Sequence, residues 1–323
     1  MTLPDISVVI PVKNEAAGIA ACLDGVLSQS IPVREILVID SGSTDGTQGI
    51  ARSRPRTRVL EIAPGEFNHG DTRNLGVRET KGQFILFTVG DARPYDNFWI
   101  ESLLAGFEAD DVAAVWGAQM VPDSPDTNPI EWFRQVSEPK LEVFRFEDAE
   151  AFVSAEPALR LAACGLDDVT ALYRRSALEE IGFRRIVYGE DVMFAIDAHM
   201  AGWALARNPA ARVYHFHLED YATTVKKVVT IASLRWTLFG VLPAAPVFQP
   251  MRVALHLLRR CGLAPRALIR WWSYNRDQVR GVRDGLSQLE TARRAGGEAM
   301  TELHRKYAGT PPIPLKSQGS VAA

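Results

Sequence analysis

EILVIDSGSTDG, residues Glu35 to Gly46, decides how this chain is read. Its first half is an unbroken run of Ile, Leu and Val, the composition of a strand buried on both faces; its second half is a loop of glycines and short hydroxyls that opens at Asp40. Upstream, ISVVIPV from Ile6 to Val12 has the same composition, and Ile19, Cys22, Leu23, Val26 and Leu27 follow it at helical spacing. Downstream, Thr57 to Ile62 reads as a third strand, Asp71 to Glu79 as a helix, and QFILFTV from Gln83 to Val89 as a fourth strand ending at Gly90 and Asp91. Strand and helix alternating at this spacing predict a Rossmann-like, mostly parallel sheet with helices on both faces, because parallel neighbours need a crossover. Ligands of such sheets sit beyond the carboxyl ends of the strands. Those ends carry Pro11, Asn14 and Glu15, then Asp40, Ser41 and Gly42, then Gly90 and Asp91.

Further along, a helix is expected from Asn97 to Phe107, a strand from Val112 to Gly117, and an excursion over the active face from Pro122 to Pro139. A short strand at Asp168 to Tyr173, a helix from Glu190 to Ala201 and two closing strands, Ala204 to Arg207 and Ala211 to Phe216, complete the alternation. Beyond Asp220 only helical patterns remain. The expected organisation is therefore an α/β domain over residues 1–220, a basic amphipathic helical region over 221–310 and a frayed tail over 311–323.

The 36 Lys and Arg against 39 Asp and Glu leave a net charge of −3, which makes no whole-chain case for nucleic acid. The charge is segregated, however. From Tyr221 to Arg276 there is no acidic residue, while Lys226, Lys227, Arg235, Arg252, Arg259, Arg260, Arg266, Arg270 and Arg276 all fall there, interleaved with Trp236, Leu238, Phe239, Trp271 and Trp272. Apolar rings beside basic residues predict a surface for an anionic membrane, with those rings as the inserted part. A helical domain with a solvated basic face is the competing reading. Cys22, Cys164 and Cys261 are too scattered for a disulfide framework or a zinc ribbon and fit a reducing cytosol. No secretory signal is read at Met1 to Ser7, and the uncharged stretch from Trp236 to Met251 is broken by Pro243, Pro246 and Pro250.

The polar segments fall in a recognisable order: ISVVIPVKNE (6–15), LVIDSGSTDGT (37–47), GEFNHGDTRNLG (65–76), VGDA (89–92), YGED (188–191) and VYHFH (213–217). Together they resemble the family 2 glycosyltransferases of GT-A fold, and FNHGDTRNLG with IDSGSTDGT is most similar to the rhamnosyltransferase branch. The resemblance implies an inverting sugar transfer from a nucleotide-sugar donor, dTDP-L-rhamnose above all, to a hydroxyl of a glycan or lipid-linked glycan of the cell envelope. It places the protein in the cytoplasm, peripheral on the inner face of the membrane. A UDP- or GDP-hexose donor is the alternative within enzymes. A non-catalytic nucleotide-sugar binding protein is the alternative outside them.

Residue by residue, the resemblance assigns base recognition to Asp40, whose carboxylate suits the imide N–H of uracil or thymine. His69, Arg73 and Asn74 are expected to line the donor cleft, Arg73 by forking onto a diphosphate or a base carbonyl. Asp91 corresponds to the last acidic residue of the family's metal motif, but Val89 stands where the first would be. One carboxylate remains workable for Mg²⁺, which keeps several waters, and His215 or His217, alternating onto one face of a strand, would be the further ligand and lean towards Mn²⁺. Asp191 is implied as the general base, with Glu190 orienting it or the acceptor. Both open a helix, whose N-terminus is expected to favour the ionised carboxylate.

Overall fold

The structure, a computed structural model, describes residues 4–124, 126–131, 140–261 and 264–308. The tail expected from Pro311 and residues 132–139 of the expected excursion lie outside them. Two units divide the chain: residues 1–122 with 135–215, and residues 123–134 with 216–323.

In the first unit the order is β1 (Ile6–Val12), α1 (Ile19–Leu27), β2 (Glu35–Asp40), α2 (Thr47–Arg52), β3 (Thr57–Glu61), α3 (His69–Glu79), β4 (Phe84–Phe87), β5 (Arg93–Pro94) and α4 (Trp99–Leu104). It continues with β6 (Val112–Met120), β7 (Glu142–Phe144), α5 (Ala149–Ser154), α6 (Pro157–Ala163), β8 (Ala171–Arg174), α7 (Arg175–Ile181), α8 (Glu190–Met200) and β9 (Ala204–Tyr214). The sheet order is β3-β2-β1-β4-β8-β6-β9-β5, with β7 also on β9. Ile6, Val8, Val9 and Ile10 of β1 and Ile36 to Ile39 of β2 are all fully buried, so both faces of these strands are covered, as their apolar composition requires. Parallel pairing sets Val12 opposite Asp40 and Asp40 opposite Glu61, which brings the loops after β1 and β2 to one sheet edge.

The expected parallel character holds from β3 through β4 and again for β6 with β9. β8 runs antiparallel to both its neighbours, and β5 and β7 run antiparallel to β9, so the sheet as a whole is mixed. The two closing strands expected around Pro209 are one strand. Trp116 pairs with Arg207 and Ala118 with Arg212, so residues 208–211 bulge opposite Gly117 alone. A Cβ on Gly117 would meet the Ala211 carbonyl at 2.0 Å, and only glycine admits that approach.

The second unit contains α9 (Tyr221–Phe239), α10 (Pro250–Cys261), α11 (Pro265–Ala295) and α12 (Gly297–Ala308). Ala232, Leu286 and Leu289 centre its core, with Val228, Leu242, Val282, Met300 and Leu303 packed on them. Asp220 caps α9 by accepting from the Thr223 amide at 2.8 Å. Among the described residues no helix is long and apolar enough to cross a membrane.

Candidate active site

The loops after β1 and β2 are tied to each other before they touch anything else. Asn14 sits at φ 57°, in the left-handed region that Asn tolerates; its amide donates to Ser43 Oγ (2.8 Å) and its Oδ1 accepts from the Thr44 amide (2.9 Å). The Glu15 amide donates to Thr47 Oγ1 (2.8 Å) and the Ala16 amide to Asp45 Oδ2 (2.9 Å), while Asp45 Oδ1 accepts from the Thr47 amide (3.1 Å) at the start of α2. Ser41 turns its hydroxyl onto the Val12 carbonyl (3.2 Å), and Gly42, at φ 92°, lies where a Cβ would meet Pro64 at 2.7 Å. Asn14, Ser41 and Gly42, all expected at the donor, therefore spend their own polar groups or backbone on building the loop. Pro11 is the strand residue opposite Ile39.

Asp40 is fully buried. Its Oδ1 accepts from the amides of Gly42 (2.9 Å) and Ser43 (2.8 Å) and from Gln48 Nε2 (3.0 Å). Its Oδ2 has no hydrogen-bond partner among the described residues. Burial pushes this carboxyl upward, but the hydrogen bonds from Ser43, Gln48 and Gly42 outweigh it and hold the group below its usual range. The result is an ionised carboxylate with one acceptor oxygen to spare.

A second polar assembly joins α3, the start of β8 and α8. Asn68 caps α3 through the Asp71 amide (3.2 Å) and donates to the Ile186 carbonyl (2.7 Å); Asn74 donates to the Phe183 carbonyl (2.7 Å) and accepts from the Phe183 amide (2.9 Å). Arg73 is buried over the rings of Phe87 and Phe183. Its Nη1 donates to Glu190 Oε1, and its Nε lies 2.7 Å from Asp168 Oδ2 as an ion contact without hydrogen-bond alignment. Arg73 and Asn74, both expected to line the donor cleft, make these contacts within the protein. His69 is exposed, with Nδ1 3.9 Å from Glu190 Oε1.

Asp168 was not legible as a site residue, because it precedes a short strand in a segment without motif. Its Oδ1 accepts from the Tyr173 hydroxyl (2.5 Å). Burial pushes its carboxyl up to about 6, against the opposing charge of Arg73. An unfolded Asp releases its proton near 3.8, so from about pH 4 to about 6 the folded state holds more protons and this group's contribution to stability falls as pH rises. Asp168→Asn should flatten that part of the stability profile, measured as urea midpoint against pH; an unchanged slope would remove Asp168 from the account.

Asp191 is the second residue of α8 and accepts from the Val192 amide at 2.7 Å. The helix terminus does not win here. Burial first, then the charges of Asp168, Glu190 and Asp167, push its carboxyl well above the usual range, with Arg73 opposing. A helix dipole contributes roughly 0.3–1 kcal/mol near a surface, whereas desolvation shifts pKa by up to several units. A carboxylate so raised is a stronger base when ionised.

The third group lies past β4. A Cβ on Gly90 would lie 3.0 Å from Glu15, and Glu15 has its carboxyl raised by burial and by the charges of Asp91 and Asp45. His215 follows the end of β9 rather than lying within it, its amide donating to the Met120 carbonyl at 3.0 Å. His215 Nε2 lies 3.5 Å from Asp91 Oδ1, and Nδ1 lies 2.7 Å from Gln119 Oε1. Gln119 Nε2 in turn donates to Asp167 Oδ2 at 2.5 Å. A carboxylate only accepts, so the Gln119 amide must face Asp167 and its carbonyl must face His215. Nδ1 then carries a proton, and Nε2 faces Asp91. Gln119 and Asp167 were not expected from sequence. His217, exposed, is the second residue past the end of this unit.

The family model described as "Glycosyl transferase family 2" matches residues 7–182, a span that includes Asp40, Asp91 and Asp168. This chain belongs to glycosyl transferase family 2. Among its relatives, the O-antigen chain rhamnosyltransferase RfbN of Salmonella typhimurium is 30% identical over 66% of this chain and 66% of its own length, and WbaN of Salmonella anatum is 28% identical over 67% of each. The match to RfbN thus spans just under two thirds of that protein. Two solved structures share the fold. The mannosyltransferase PcManGT of Pyrobaculum calidifontis, in complex with GDP-Man and Mn²⁺, has TM-score 0.53 at 19% identity, covering 96% of this chain and 81% of its own. S. aureus TarS 1-349 in complex with UDP-GlcNAc has TM-score 0.51 at 13% identity, covering 90% and 92%. For this family 2 member the fold is of GT-A type.

Proposed function

We propose that the protein is an inverting glycosyltransferase that moves L-rhamnose from dTDP-L-rhamnose to a hydroxyl of a lipid-linked or cell-envelope glycan. The observation that carries the reading is Asp191, a carboxyl held well above its usual range beside the Arg73, Glu190 and Asp168 assembly. In the transfer the acceptor oxygen forms its bond to the anomeric carbon, the bond from that carbon to the diphosphate breaks, and the electron pair leaves with the nucleoside diphosphate. Asp191 takes the acceptor's proton, and Glu190, held by Arg73, fixes the start of α8 that carries it. The spare oxygen of Asp40 suits the imide N–H of thymine or uracil. The rhamnosyltransferase relatives favour rhamnose as the sugar. Release of nucleoside diphosphate from a panel of dTDP-L-rhamnose, UDP-hexoses and GDP-hexoses tests the reading; no release from any donor would leave a binding protein.

A divalent cation fits Asp91 and His215. His215 Nε2 and Asp91 Oδ1 lie 3.5 Å apart, and an imidazole nitrogen beside a carboxylate oxygen is a donor set such an ion takes. His217, two residues along, is the natural further ligand. When bound, such an ion supplies charge neutralisation to the departing diphosphate. One carboxylate and an imidazole suit Mg²⁺ or Mn²⁺, the imidazole favouring the latter. Asp91→Ala should weaken dTDP binding in Mn²⁺ and change little in chelator, because metal and carboxylate act as one link. Gln119→Leu, freeing the tautomer, should cost about 10- to 100-fold in Mn²⁺ affinity. Titration calorimetry reads both, and equal losses for Asp91→Ala with and without chelator would mean it acts without metal.

The donor is cytoplasmic and the acceptor lipid-linked in this reading, so the protein works peripherally at the inner membrane face, with residues 221–310 as its basic interface region.

A further inference from the structure

The rings that sequence offered for membrane insertion are used within the second unit. Leu238, Phe239 and Trp271 are buried. Trp236 lies under the Arg293 guanidinium at 4.9 Å, and Trp272 donates its Nε1 to the Pro250 carbonyl (3.2 Å) while packing edge-on against Phe248. They anchor the unit rather than face out of it.

Other side chains are exposed in their place. Met251, at 77% exposure, Leu255 and Leu258 follow one another at i, i+4 and i+7 along α10 and form one outward stripe. Leu257, about a third of a turn away, is fully buried and fixes which way the helix faces. Val247 (74% exposed) precedes the stripe, and Ile269 (64%) stands on the first turns of α11. Exposed arginines accompany them: Arg252 and Arg259 each follow a stripe residue by one position, and Arg266 and Arg270 bracket Ile269. Among the described residues none of these four arginines forms an ion pair with a carboxylate. In water an amphipathic helix turns its apolar stripe inward; α10 turns one outward, with cations beside it.

We propose that α10 and the first turns of α11 form a membrane-docking surface, in which Met251, Leu255, Leu258, Val247 and Ile269 enter the headgroup boundary of an anionic bilayer while Arg252, Arg259, Arg266 and Arg270 meet lipid phosphates. This deepens the peripheral reading given above and replaces the tryptophans as its inserting part. The occupant follows from charge. The segment 221–276 holds nine basic residues and no acid, so a like-facing second copy would set arginine against arginine, while a nucleic acid would leave the stripe of Met and Leu uncovered. Anionic lipid alone matches both features, since long arginine stems let the charged heads stay at the phosphates as the stripe sinks.

Co-sedimentation of the full chain with phosphatidylcholine vesicles, with and without phosphatidylglycerol, tests it across a salt series. Binding should be much stronger with phosphatidylglycerol than without it, and that gain should weaken steeply once the Debye length falls below about 8 Å. Replacing Arg252, Arg259, Arg266 and Arg270 together by Ser should lower partitioning about 10²- to 10³-fold. Met251→Ser, Leu255→Ser and Leu258→Ser combined should remove the part of binding that survives high salt. All seven positions are exposed, so the melting temperature of both variants should stay near that of the parent. Nucleoside diphosphate release with a water-soluble acceptor should also persist, which separates failure of docking from failure of the enzymatic reading. Intact protein left in the supernatant with anionic vesicles at low salt would overturn the proposal. So would wild-type partitioning of the triple stripe variant, or a dimer in sedimentation velocity that the same variant dissolves.

Discussion

Asp191→Asn is expected to lower sugar transfer by about 10²- to 10⁴-fold, the usual cost of losing a general base, with donor affinity changed only slightly. The amide keeps the size of the side chain and an oxygen that can still accept from the Val192 amide, so the start of α8 is preserved. What is lost is the capacity to hold a proton. Because burial and the neighbouring charges of Asp168, Glu190 and Asp167 raise the Asp191 carboxyl well above 3.8, the acidic limb of the kcat/KM profile should lie above the ordinary Asp range. That limb should be absent from whatever activity the variant retains. Steady-state turnover of purified protein, with dTDP affinity measured separately, reads both effects. Near-normal turnover would take the proton-accepting role away from Asp191.

Arg73→Met should cost roughly 3–5 kcal/mol of stability, because it leaves Glu190 and Asp168 buried without their cation. Met fills much of the space of the arginine stem between Phe87 and Phe183, so the loss reports charge rather than a cavity. Arg73→Lys should recover little, since a single ammonium does not span the two carboxylates that the planar guanidinium meets through Nε and Nη1. Adding Asp168→Asn to Arg73→Met should return part of the loss by removing one of the two unpaired charges. Urea unfolding measures all three. A loss under about 1 kcal/mol for Arg73→Met would mean that the assembly is already compensated by water.

The strands β1 and β2 were legible from sequence to the residue, because short runs rich in Ile and Val bounded by turn residues suit a strand covered on both faces. Their loops followed from that, and with them Asp40 at one sheet edge. The order of the polar segments was enough for the family. Sequence did not determine the partners of Arg73. Glu190 lies 117 positions away, and Asp168 comes beside it only because β8 enters antiparallel next to β4. Nor did it determine the protonation of Asp191. A helix N-terminus is a local feature that sequence displays, whereas desolvation and the charges of Asp168, Glu190 and Asp167 exist only once separate segments are packed together. The same holds for Gln119, which fixes the tautomer of His215 from another strand, and for α10, whose periodicity says that one face is apolar but not whether protein covers it. Local composition selects elements because backbone geometry and burial act on neighbours in the chain. Charge, protonation and exposure are set by whatever lies within a few ångströms in space, and only the tertiary structure decides what that is.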